Sequence, residues 1–162
     1  MGGAVPPGER DVIGYRAPRG EWPPFRIASS IETLVGYADT DAQGRVYYGR
    51  YARFLDEARF GVWTAAGFDE AGLRRLEHAT VIARLEVEYR GPAEFHDRLR
   101  VTAGVEGLGR SSIVFRYAVH HPDGRQVVDA RQVLVQVDSA AGARPIPWAE
   151  ADLARLAALV GA

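Results

Sequence analysis

Residues 37–68, YADTDAQGRVYYGRYARFLDEARFGVWTAAGF, change character midway. An acidic turn at Asp39, Thr40 and Asp41 gives way to apolar positions at Tyr47, Tyr51, Phe54, Leu55, Ala58, Val62, Ala65 and Ala66, while Arg50, Arg53, Asp56, Glu57 and Arg59 mostly fall between them. That spacing is helical, and Gly67 supplies a stop. A helix of about twenty residues would be roughly 30 Å long and needs a broad apolar surface to lie on.

Elsewhere the period is two. Ahead of the helix, Ile31, Thr33, Val35 and Tyr37 alternate with Glu32, Leu34 and Gly36, which predicts a strand over residues 31–37 with both faces partly covered. After it, FDEAGLRRLEHA reads as a short helical turn or loop. Val81, Ala83, Leu85, Val87 and Tyr89 then form one strand face against Arg84, Glu86, Glu88 and Arg90 on the other. Leu99, Val101, Ala103 and Val105 form the next, opposite Arg98, Arg100 and Glu106, with Gly107 and Gly109 making a turn. Ile113, Phe115, Tyr117 and Val119 follow, and HHPDG predicts a hairpin to a last strand over residues 126–137, apolar in both registers. RPIP ends the sheet, and Leu153, Leu156 and Val160 give residues 148–160 a helical stripe. The order strand, long helix, about four strands in antiparallel meander and a tail helix is an α+β pattern: a curved antiparallel sheet wrapped around a central helix. Residues 1–28, dense in Pro and Gly, are expected to form a flexible arm, or one strapped down by Trp22 and Phe25; residues 29–162 form a single domain.

Composition narrows the function by exclusion. A net charge of −1 gives no general attraction to nucleic acid or an anionic membrane surface. The absence of cysteine removes disulfides and thiol nucleophiles, and His78, His96, His120 and His121 show no metal-ligand spacing. No apolar run is long enough to span a bilayer and the start shows no apolar signal core, so a cytoplasmic location is expected. All 20 basic residues are arginine, a bias of the same kind as the many Ala and Gly residues.

The residues Tyr37-Ala-Asp-Thr-Asp41, Gly44, Val46-Tyr47-Tyr48 and Tyr51, with residues 56–59 on the helix, resemble the signature of the 4-hydroxybenzoyl-CoA thioesterase family of hot-dog folds. LEVEYRGPAEFHDRL, LGRSSIVFRY and ARPIP resemble later segments of the same family, so the likeness covers residues 31–147. It implies a hot-dog domain that hydrolyses acyl-CoA thioesters, with coenzyme A as part of the substrate and neither metal nor organic cofactor. It also implies assembly as a homodimer at least, and as a homotetramer by pairing of dimers. The position matching the family's catalytic aspartate is Asp41. Tyr48 matches the residue whose backbone N–H polarises the thioester carbonyl, with Gly44, Val46 and Tyr47 beside the substrate. Arg110, Ser111 and Ser112 match the turn that meets the CoA phosphates.

Read without the family, Asp41 caps a helix beginning at Ala42 or closes an Asx turn. Asp39 reads as a loop tie, and Glu57 as a solvated or interface charge. Tyr37, Tyr47, Tyr48 and Tyr51 read as packing residues, and Arg84, Arg90, Arg98, Arg100 and Arg116 as solvated strand positions. Phe60, Trp63 and Phe68 suit either an acyl pocket or the core. One local feature agrees with the family role of Tyr48: between Ala42 and Arg50 there is no Ser, Thr, Asp or Asn to cap the helix, so its first N–H groups are free for an oxyanion. Two rival readings are a hot-dog hydratase or dehydratase, whose acid is paired with a histidine that residues 39–68 lack, and a non-catalytic acyl-CoA or acyl-carrier binding module.

Overall fold

A computed structural model describes residues 22–161. Strand β1 (Ser29–Leu34) leads into a 3-10 turn at Tyr37–Asp39 and, after a loop, a second 3-10 turn at Tyr48–Arg50 that continues directly into helix α1 (Tyr51–Ala65). Helix α2 (Glu70–Ala79) and strand β2 (Thr80–Tyr89) follow. Strands β3 (Arg98–Leu108), β4 (Ser112–His120) and β5 (Gln126–Asp138) come next, then the two-residue β6 (Arg144–Pro145) and helix α3 (Glu150–Ala157). The segment after Gly67, expected as a short helical turn or loop, is a full helix of 10 residues: Asp69 caps it by accepting from the Gly72 N–H at 2.8 Å.

The sheet is antiparallel throughout, in the order β1-β3-β4-β5-β2, with β6 on β5. Its inner face carries Leu99, Val101, Ala103 and Val105 of β3, Ile113, Phe115, Tyr117 and Val119 of β4, and Val128, Ala130 and Leu134 of β5, all buried. Against it lies α1, burying Tyr51, Phe54, Leu55, Ala58, Val62 and Trp63. Each fully buried large side chain of this kind stabilises by about 1.5–3 kcal/mol. The sheet curls around the helix, which is the hot-dog fold.

Two expectations fail here for physical reasons. The strands are not a plain meander, because β1 takes the place beside β3 and leaves β2 only the far edge, beside β5. A bulge at Ala83 then reverses the alternation of β2. Ile82 and Arg84 pair with the successive residues Leu134 and Val133, so Ile82 joins Leu85, Val87 and Tyr89 on the inner face while Val81 turns outward. Being at an edge, Val81, Ile82, Leu85 and Tyr89 stay 41–53% exposed.

Two arginines, Arg59, expected off the apolar stripe of the helix, and Arg116, expected at a solvated strand position, are instead buried. Arg59, on the core side of α1, donates to Asp56, Glu77 and Gln132; Gln132 also accepts from the Tyr117 hydroxyl, and Glu77 from the Trp63 indole. Burial alone would raise the Glu77 carboxyl, but the bonds from Arg59 and Trp63 outweigh it and hold it below the ordinary range. Arg116 lies on the outer face, 1% exposed, beneath Trp22 and Phe25, and donates to the Pro23 carbonyl. Of the arm expected over residues 1–28, residues 1–21 lie outside the described residues. Residues 22–28 have no helix or strand but lie against the sheet, where the Ala28 N–H donates to Ala103 at 2.8 Å and Trp22 faces both Arg116 and Arg131.

The strap approaches the sheet closely at Gly104, where an added Cβ would stand 2.0 Å from the Arg26 carbonyl oxygen and 2.8 Å from the Phe25 ring. Gly104→Ala should therefore displace residues 22–26 and destabilise the domain by roughly 1–3 kcal/mol, as overpacking does. Urea unfolding measures the loss, and increased acrylamide quenching of tryptophan fluorescence reports release of Trp22.

Candidate active site

The loop between the two 3-10 turns is built by its own backbone. Thr40 bridges to Val46, and Arg45 to Glu94 across the chain. The Asp41 N–H donates to the Arg45 carbonyl at 2.8 Å, the Val46 N–H to Ala93 at 2.8 Å and the Tyr47 N–H to Asp39 at 2.9 Å. Gly44 turns the corner at φ +74, a conformation that a side chain would strain.

Asp39 ties this loop to the helix. Its buried carboxylate accepts from the Gly36 N–H at 2.9 Å and from Arg53 at 3.0 Å, and Arg53 also holds Glu57 at 2.6 Å. Asp41 is exposed and accepts from the Gln43 N–H at 2.8 Å, an Asx turn that leaves one carboxylate oxygen without a described partner. It lines a cavity of about 590 Å³ with Gly44, Tyr37 and Phe95, the last two being exposed rings in edge-to-face contact at 6.1 Å.

The start of the helix is uncapped. Tyr47 is extended and supplies no side-chain cap, and the nearby N–H groups that do find partners are those of Val46, Tyr47 and Arg50. For the N–H groups of Tyr48 and Gly49 there is no acceptor among the described residues. Val46 and Tyr48 line a second cavity, of about 300 Å³. Tyr47 packs its ring on that of Tyr48 at 4.4 Å, and hydrogen bonding with the Tyr48 side chain, more than the charge of its neighbour, raises the Tyr47 hydroxyl. Of the four tyrosines only Tyr51 is buried in the core. Tyr37, Tyr47 and Tyr48 are 82%, 43% and 64% exposed, because they precede the helix at the open end of the sheet.

Arg110, Ser111 and Ser112 stand elsewhere, at the β3–β4 turn. Arg110 lines a groove with Leu108, Leu153 and Val160. Register places this turn: Ser112 pairs with Val135, which pairs with Val81 at the start of β2, whereas Tyr89 at the far end of β2 pairs with Val128. The span from Val128 to Val135 is about 24 Å at strand rise. Arg110 and the Asp41 loop thus lie at opposite ends of the sheet. Among the described residues, no group of three His, Cys, Asp or Glu side chains could hold a metal ion, and no helix is long and apolar enough to cross a membrane.

Residues 35–156 match the thioesterase-like superfamily, and the chain belongs to that family. Among its relatives, the acyl-CoA thioester hydrolase YbgC of Escherichia coli O6:H1 is 30% identical over 104 residues, 64% of this chain and 78% of the relative. The long-chain acyl-CoA thioesterase FadM of E. coli K12 is 31% identical over 100 residues, 60% of this chain and 74% of that one. A thioesterase from Thermus thermophilus whose crystal structure holds coenzyme A and zinc superposes with a TM-score of 0.72 at 28% identity, covering 85% of this chain and 97% of that one.

The tie at Asp39 is open to measurement. Asp39→Ala leaves the partly buried Gly36 N–H without its acceptor and should cost about 1–3 kcal/mol. Arg53→Ala, which removes a partner 43% exposed, should cost no more than about 1 kcal/mol. Equal losses in chemical denaturation would show that the carboxylate is not the organising group.

Proposed function

We propose that the chain is an acyl-CoA thioesterase whose reaction takes place between Asp41 and the N-terminal end of α1. The observation that carries this reading is the uncapped start of the helix, at the end of the short loop that also carries the Asp41 carboxylate. The thioester carbonyl oxygen accepts from the Tyr48 N–H, where the positive end of the helix favours the negative charge that develops. Asp41, with an oxygen left over from its turn, either attacks the carbonyl carbon or takes a proton from the attacking water. In the nucleophilic route the Asp41 carboxylate displaces the CoA thiolate to give a mixed anhydride, which water hydrolyses to restore Asp41. In the general-base route water adds to the acyl carbon directly. In both the C–S bond breaks and the leaving sulfur takes up a proton that comes from water. Gly44 shapes the turn, Val46 anchors it, and Tyr47 places Tyr48 through its own N–H bond to Asp39.

The exposed apolar edge of β2 supports pairing of two subunits, since an unpaired edge of this kind is an aggregation hazard. Antiparallel pairing of β2 with its copy about a twofold axis reverses the sheet ends. It brings the β3–β4 turn of one subunit, with Arg110, Ser111 and Ser112, toward the Asp41 end of the other. The opposite-end placement of Arg110 within one chain thus becomes a site shared by two, with Arg110 meeting the CoA phosphates. Pairing of such dimers would give the tetramer.

Asp41→Asn keeps the Asx turn but lacks a carboxylate, so it should fold normally and lose at least about a hundredfold in kcat. Tyr48→Pro deletes the N–H at a position where proline suits a helix start and should lose about a hundred- to a thousandfold, while Tyr48→Phe stays active. Activity of folded Asp41→Asn within a few-fold of wild type would falsify the assignment of Asp41; a folded, inactive Tyr48→Phe would move the role from backbone to phenol.

The shared site predicts complementation. Arg110→Ala alone should raise KM, and Asp41→Asn alone should be nearly inactive. Mixed dimers of the two should regain sites with wild-type KM, because one of their two sites draws both residues from unmodified positions. Sedimentation that shows only monomers, or mixtures with no recovery at low substrate, would remove the intersubunit site.

A further inference from the structure

Resting on the thioesterase reading, the lining of the cavity beside Tyr48 speaks to the acyl group it accepts. Its polar side chains are Arg45, Arg90, Tyr48, Tyr51 and Tyr89, and no carboxylate lines it. Arg90 is already held by Glu88 and Asp129. Arg45 makes no ion pair with a described residue, and its side chain is free of hydrogen bonds to them. Tyr51 is 4% exposed, yet its hydroxyl bonds to none of the described residues. Burial, and to a lesser degree Tyr89 and Asp97, pushes that hydroxyl up to about 12, so at neutral pH it keeps its proton to donate. Tyr89 donates to the Tyr48 carbonyl at 3.3 Å, which steadies the wall on the β2 side.

A cavity with an uncommitted guanidinium, and a phenol whose hydroxyl opens to it without a protein partner, suits an acceptor that carries negative charge. We propose that this cavity receives the acyl group, and that the acyl groups it favours end in a carboxylate, met by Arg45 and the Tyr51 hydroxyl. The CoA phosphates carry the same kind of charge, but the pantetheine arm separates them from the thioester by far more than the width of this cavity. A guanidinium that shares a wall with Tyr48 is therefore placed for the acyl side. Arginine suits the task because it presents a planar fork to a carboxylate.

The test compares glutaryl-CoA with valeryl-CoA, which share a carbon chain and differ in the terminal charge. Wild-type enzyme at low ionic strength should favour glutaryl-CoA in kcat/KM by at least about tenfold, the effect of one charge-assisted hydrogen bond. The preference should shrink as salt is added. Arg45→Glu should abolish or invert it, and Arg45→Lys should retain part of it. Arg45 is an exposed loop side chain, so circular dichroism of both variants should match wild type. A wild-type ratio near one, or a preference for valeryl-CoA, overturns the inference and leaves the thioesterase reading standing. An Arg45→Glu variant that loses equally on both substrates assigns Arg45 to the CoA phosphates and also overturns it. A wild-type protein that hydrolyses no acyl-CoA defeats the thioesterase reading, and the inference with it.

Discussion

A fifteen-residue helix with a stripe of Phe54, Leu55, Ala58, Val62 and Trp63 must find a cover for that stripe, and only a curled sheet covers it along its length. The rest of the domain follows from that burial. The curl gives the sheet a concave side for α1 and two free edges. The length of α1 sets the separation between its exposed first turn and the far end of the sheet, where α3 closes the structure through Arg155 on the Gly67 carbonyl. Because the helix is pinned by its apolar face, its N-terminal end is fixed in space without needing a cap. The N–H groups there are held in place by packing tens of atoms away rather than by a partner of their own.

That division of labour separates rigidity from reactivity. The loop before the helix is held by backbone bonds to Ala93, Asp39 and Arg45 and by the Asp39 carboxylate, so the Asp41 carboxylate and the Tyr48 N–H have no structural duty beyond one short turn. Groups that the fold does not consume remain available for substrate.

The sequence disclosed the parts of this arrangement that are local. Helical spacing located α1, Gly67 its end, period-two alternation the inner faces of β3 and β4, and the missing cap its open start. The Asp41 loop was legible because its spacing matches a family motif, whereas its residues alone also fit an Asx turn, which is what the structure contains. What escaped was decided by distant partners. Nothing near Arg59 signals burial, since Glu77 and Gln132 lie 18 and 73 residues away. Arg116 is buried by Trp22 and Phe25, from a segment whose Pro and Gly content spoke only against regular structure. The place of β2 depended on β1 having taken the edge of β3, and the bulge at Ala83 left no mark in an alternation that looked unbroken. The helix after Gly67 did carry a local signal, an aspartate cap at Asp69 with Leu73 and Leu76 in phase, weaker than the glycine and charges around it.

Apart from the contact of His121 with Asp97, the ion pairs of the described residues, from Arg53 with Asp39 to Arg75 with Asp152, are made by guanidinium groups, in a chain with no lysine. Thioesters are acyl donors, and an unprotonated side-chain amine near one is a competing acceptor that ends as a stable amide. Arginine stays protonated throughout the physiological range and does not take part in that exchange. A protein of this composition can hold an activated acyl group against a positively charged wall, turnover after turnover, without any of its own side-chain amines being capped by the substrate.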